Sequence, residues 1–138
     1  MDAVLVVGAL ATLFMVGVVW FCQIVHYPLF AAVGADGFVA YHARHSVRVT
    51  WLIAVPWLVE VASSAILVVE RPADVPAGLA VLGAATVIVT ALVQGPAHTG
   101  LARGYDEDRI RSLVRGNAPR TAIWTAHGVV FAAMLLVV

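Results

Sequence analysis

Histidine is the side chain best suited to bind a transition metal or to move a proton near neutral pH. Five of them, His26, His42, His45, His98 and His127, stand in a chain that has one cysteine and no lysine. Gln23 and His26 lie three apart, His42 and His45 three apart, and Gln94 and His98 four apart, so each pair shares a face wherever the chain is helical. Two imidazoles at i and i+3, joined by one or two more from other helices, supply the neutral nitrogens that copper, iron or zinc accept. His42, His45 and His98 are the expected ligands, with His26 the fourth ligand or a base; Gln23, Gln94 and Asp106 are the expected hydrogen-bond partners that hold the imidazole tautomers. Cys22 allows no disulfide within the chain and no cysteine-based zinc ribbon. It reads either as a soft ligand one turn before His26 or as core packing.

A second stripe is formed by Asn117, Arg120, Trp124 and His127, which fall at i, i+3, i+7 and i+10. Arg48 and Arg120 are the cations that would position a substrate, with Asn117 and Trp124 beside them; the ordinary alternative for each arginine is snorkelling at a helix end. Glu60 interrupts an otherwise apolar run, where a carboxylate is costly and is read as functional by default. It would pair with a histidine, carry a proton, or stay protonated against Ser63 or Ser64. His26, Glu60 and His127 are the expected acid–base groups.

The elements that must carry these residues follow from composition. The chain has 138 residues, 62% of them hydrophobic and 12% charged, and eight arginines balance eight acids to a formal net charge of zero. That excludes a soluble globule, and the lack of a basic face argues against nucleic acid as a partner. Four apolar runs, about 3–25, 49–69, 77–96 and 119–138, are each long enough to cross ~30 Å of hydrocarbon as a helix. The first is too long for a secretory signal and lacks its basic start. Lipid leaves a spanning segment no partner but its own backbone, so the expectation is an all-α integral membrane four-helix bundle, one domain over residues 1–138.

The connections are unequal. Residues 70–76 hold two prolines and Asp74 and read as a tight turn. The first and third connections each predict a short interfacial helix. One starts near Asp36 and runs into span two, which Pro56 would kink. The other opens at Tyr105 to Asp108 and is stopped by Gly116, with Pro119 in the first turn of span four. These two connections lie on one side of the membrane with seven of the eight arginines, leaving Arg71 on the other. The positive-inside rule then places that side in the cytoplasm and both termini outside, in the plasma (inner) membrane. His26, His42, His45 and His98 all arrive at that same side, with His127 about two turns deeper, so a polar pocket is expected at the cytoplasmic end of the bundle.

The stretches QIVHYPLF (Gln23 to Phe30), FVAYHARH (Phe38 to His45), QGPAH (Gln94 to His98) and NAPRTAIW (Asn117 to Trp124) resemble the pattern of small four-span bacterial membrane proteins and of the anthrone oxygenase-like family. The second likeness covers the order of the spans and the Asn-x-x-Arg-Thr start of the last helix. It implies oxygenation of an aromatic or polyketide-like molecule.

The function these readings predict is a membrane-embedded metalloenzyme, an oxidoreductase or oxygenase, acting on a lipophilic small-molecule substrate that reaches it from the bilayer. One metal, or two close coppers, would be held by the histidines. Copper or iron suits an oxygenase, and zinc a hydrolase with an acidified bound water. Three alternatives come from other classes: a haem b electron carrier with the iron between two histidines, a small transporter that uses Glu60, and a structural subunit. Ala80 and Ala84 on one face of span three would permit close helix contact within the chain or in a homo-oligomer.

Overall fold

The apolar runs fold as four helical rods, which the computed structural model describes over residues 3–70 and 76–137. The first rod is α1 (Ala3–Phe21), continued by a π turn at Cys22–His26 and a 3-10 turn at Pro28–Ala32. The second is α2 (Ala35–Glu70); the third joins α3 (Ala77–Val89), a π turn at Thr90–Gln94 and α4 (Gly95–Leu101); the fourth is α5 (Glu107–Val137). All four rods are long and apolar enough to cross a membrane. The chain is an all-α four-helix bundle and a multi-pass membrane protein. The turn expected between spans two and three, with Arg71, Pro72 and Asp74, lies outside the described residues.

Local chemistry explains where the rods begin. Gly34, at φ +77°, turns the chain from the first rod into α2, a backbone conformation that glycine adopts without a Cβ clash. As expected, the short helix after it runs straight into span two, and Pro56 lies inside a continuous α2. The start of α5 is capped by Asp106, whose Oδ1 accepts the Arg109 N–H at 3.0 Å. Gly116 does not stop this helix, which passes through both Gly116 and Pro119 into the last span. The physical reason lies on the third rod: a Cβ at Gly116 would stand 3.0 Å from Val93 Cγ1, so the glycine serves a close helix contact.

Around the bundle α1 packs on α2, α2 on α3, α3 on α5 and α5 back on α1, which leaves α2 and α5 diagonally opposed. Large apolar side chains such as Leu10, Trp51, Val55, Leu58 and Leu92 face outward. The interior is layered. One apolar layer, with Tyr27, Phe30, Phe38, Leu101 and Leu113, fills the end nearest the connections; a second, with Met15, Val19, Val89 and Trp124, lies in the middle; a third, with Leu5, Leu67, Leu79 and Phe131, fills the far end. Buried polar groups sit beside and between these layers: His42, His45, Gln94, Asn117 and Arg120 toward one end, and Glu60, Ser63, Ser64 and His127 deeper in.

Candidate functional site

The histidines converge because of two backbone irregularities. Pro28 and Pro96 lack the N–H that would close an α-helical turn on residues 24 and 92. Ahead of each, the ladder widens into a π turn, Cys22–His26 in the first rod and Thr90–Gln94 in the third. In the first, the Tyr27 N–H reaches back to the Cys22 carbonyl at 3.0 Å, and His26 and Tyr27 are brought against α2 and α4. α2 contributes His42 and His45 from one face, both buried.

The rings meet nitrogen to nitrogen. His26 Nε2 lies 2.8 Å from His45 Nδ1, His42 Nε2 lies 3.1 Å from His98 Nδ1, and His98 Nε2 lies 3.2 Å from the Tyr27 hydroxyl. The centroids of His42, His45 and His98 are 5.4 to 6.0 Å apart in every pairing. Phe30 presents its ring edge-to-face to His26, His42 and His45, and Phe38 stacks on His42. Each contact between two rings joins one N–H to one lone pair, so the tautomer of one ring sets that of its partner. In this arrangement the nitrogens meet in pairs; among the described residues, no three His, Cys, Asp or Glu side chains form a ready metal-holding group. His42 Nδ1 is buried with no partner.

A cleft of about 680 Å³ runs beside the histidines between α1 and α2. Leu13, Phe14, Gly17, Val18, Phe21 and Leu52 form its apolar length, while His26, Tyr41, Arg44, His45 and Arg48 form its polar end. A Cβ at Gly17 would meet nothing within 4 Å, so this glycine leaves the cleft open. On the other side of Cys22 and His45 is a chamber of about 200 Å³ bounded also by Tyr27, Thr90, Gln94, His98 and Arg120.

Deeper in the bundle, long polar side chains bridge the diagonal. Glu60 is fully buried; its Oε1 lies 2.8 Å from His127 Nδ1, and its Oε2 accepts the Trp124 indole N–H at 2.8 Å. Ser64 Oγ donates to the Glu60 carbonyl at 2.8 Å and stands 3.3 Å from His127 Nε2. With the serine hydrogen committed to that carbonyl, Nε2 is the donor to Ser64, and a single proton is left to join Nδ1 and Oε1. The pair is neutral overall, as the cost of an uncompensated buried charge requires.

Several sequence-derived candidates take other partners. Gln23 is not bonded to an imidazole: its Oε1 accepts from Asn117 Nδ2 at 2.9 Å, and Asn117 Oδ1 accepts from Arg120 at 3.3 Å. Arg120 in turn lies 4.9 Å over the Trp124 ring. Gln94 borders the chamber with both amide atoms unpaired. Asp106 is not part of the site, because its carboxylate is spent on capping α5 and pairing with Arg109 at 2.9 Å on the exposed surface. Arg48 lines the polar end of the cleft together with His26 and His45. His127 and Glu60 form their own centre. Tyr27, the partner of His98, is not distinguished by spacing; its only signal is its place between His26 and Pro28, where the turn changes type.

In comparisons with known proteins the chain matches no family model, no curated protein and no solved structure. The class that fold and site define is thus a four-helix multi-pass membrane protein with a cluster of four histidines at one end and a buried carboxylate–imidazole pair within.

Proposed function

We propose that His42, His45 and His98, with His26, hold one transition-metal ion and that the chain is a membrane-embedded oxidoreductase acting on a lipophilic substrate. The observation that carries this reading is the meeting of four imidazoles from three rods at the polar end of a lipid-side cleft. Two nitrogens bound to one ion at about 2.0–2.1 Å stand roughly 3 Å apart. The spacings of 2.8 and 3.1 Å are of that size within each pair, and binding one ion would require the rings to turn so that the two pairs converge. With His98 bound through Nδ1, its Nε2–H donates to Tyr27, the kind of outer bond that fixes a ligand's orientation. An all-imidazole set suits copper or iron, which fits the oxygenase activity implied by the sequence resemblance; zinc would give a hydrolase. The apolar length of the cleft admits the substrate from the bilayer.

Haem b is the weaker reading. Axial ligands on opposite faces of one iron stand about 4 Å apart, twice a metal–imidazole bond of roughly 2 Å, and these rings already touch. A transporter would need Glu60 to meet water, whereas Glu60 is enclosed by His127 and Trp124.

Elemental analysis of purified protein tests the reading. Wild type should carry about one metal per chain, and the His42→Ala, His45→Ala double variant close to none; equal content in both overturns it. The excess of arginine at the histidine end supports a cytoplasmic position for it. A cysteine at exposed Arg109 should then react with an impermeant maleimide in inverted vesicles and not in intact cells; the reverse labelling overturns that orientation.

A further inference from the structure

Arg120 is only 4% exposed, and a guanidinium keeps its charge in any protein environment. Among the described residues no carboxylate pairs with it. Asn117 Oδ1 accepts from it at 3.3 Å, the face of Trp124 and the Tyr27 hydroxyl stand beside it, and its Nε has no partner. A buried cation without a counter-ion is strongly unfavourable even after the surroundings relax. The same chamber holds further unmet groups: both amide atoms of Gln94, itself 3% exposed, and the Thr90 hydroxyl. Three of these four, Arg120 Nε, Gln94 Nε2 and Thr90 Oγ1, can donate. The neighbouring Tyr27 hydroxyl, which also bonds to His98, is neutral and supplies no counter-charge.

We propose that this chamber is an anion site for a carboxylate, held by Arg120 with Gln94 and Thr90 as further donors. A planar carboxylate matches the guanidinium fork, and the volume of about 200 Å³ accommodates a small head group. Cys22 and His45 border both the chamber and the lipid-side cleft, so the bound carboxylate lies next to the histidine cluster. The inference deepens the proposed function, because it makes the substrate an acid, but the anion site itself needs no metal. The carboxylate has two sources: a free small acid, or the head of a long-chain acid drawn from the bilayer.

The test is equilibrium binding of radiolabelled acetate and laurate, with lauryl alcohol as the uncharged control, to full-length protein in detergent after chelator treatment. Wild type should bind a carboxylate at one per chain and the alcohol at least tenfold more weakly. Acetate binding as tight as laurate identifies a free acid, and laurate alone a lipid-borne one. Gln94→Glu places a carboxylate in the chamber beside Arg120. That variant should fold, lose the bound acid by at least tenfold, and unfold at a higher temperature than ligand-free wild type. Arg120→Met should also lose binding. Failure of wild type to bind either acid, equal binding of the alcohol, or full binding by Gln94→Glu overturns the proposal. Because the protein is metal-free in this assay, its outcome is separate from that of the metal analysis.

Discussion

Replacing Glu60 with alanine is expected to cost about 3–5 kcal/mol of stability, because two buried polar groups each lose a partner at about 1–3 kcal/mol and a cavity is left behind. The substitution leaves His127 Nδ1 without a partner and the Trp124 N–H without an acceptor in a layer closed to water. Glu60→Gln separates geometry from charge. Its amide oxygen can accept from Trp124, its NH2 can donate to the Nδ1 lone pair of neutral His127, and Nε2–H still donates to Ser64. Every group is then satisfied, and the loss should be about 1 kcal/mol or less. His127→Ala should cost nearly as much as Glu60→Ala. The double variant should cost less than the sum by about 1–3 kcal/mol, because the two changes remove the same interaction. Denaturation in mixed detergent micelles measures all four. A Glu60→Gln variant as unstable as Glu60→Ala would contradict the neutral, one-proton pair.

The second large effect is on metal affinity, and it should be graded by position. His98 touches both His42 and Tyr27, so His98→Ala would remove one of the proposed ligands and untie the rest of the cluster. The expected loss of affinity exceeds ~100-fold, beyond the ~10–100-fold that follows loss of an outer partner alone. Tyr27→Phe keeps the ring that packs on Phe30 and deletes only the hydroxyl, so it should fall within that lower range with the fold intact. Titration of chelator-stripped protein with Cu(II), Fe(II) and Zn(II) against a competing chelator provides the measurement. Equal affinities for Tyr27→Phe and wild type would remove Tyr27 from the centre, while wild-type affinity in His98→Ala would overturn the ligand set.

The two centres share a line of side chains. From the histidines, Arg120 borders the chamber, lies over Trp124, and Trp124 donates to Glu60. Asn117, three residues before Arg120 on α5, accepts from it and in turn donates to Gln23 of the first rod. A substitution at Trp124 therefore touches the anion chamber and the carboxylate pair together, which makes it unsuited as a probe of either alone.

What sequence alone determined is the architecture and the address of the site. Four runs of lipid-compatible length admit only helices, and the alternation of spans carries His26, His42, His45 and His98 to one end whatever the packing. Periodicity could do this because each rod is long and its polar residues few. Irregular backbone and cross-bundle partners lay beyond it. A regular 3.6-residue repeat does not foresee the π turns before Pro28 and Pro96, nor therefore the place of Tyr27. Gly116 resembles a helix stop until Val93 is seen packed against it. The pairing of Glu60 with His127, 67 residues apart, depends on a diagonal that only the packed bundle sets. Asp106 is drawn to the nearest unsatisfied backbone N–H and cation, a local competition that removes it from the distant histidines. Apolar length is a property of single segments and is written in the sequence, whereas which polar groups satisfy one another in a dry interior is decided only once four helices share it.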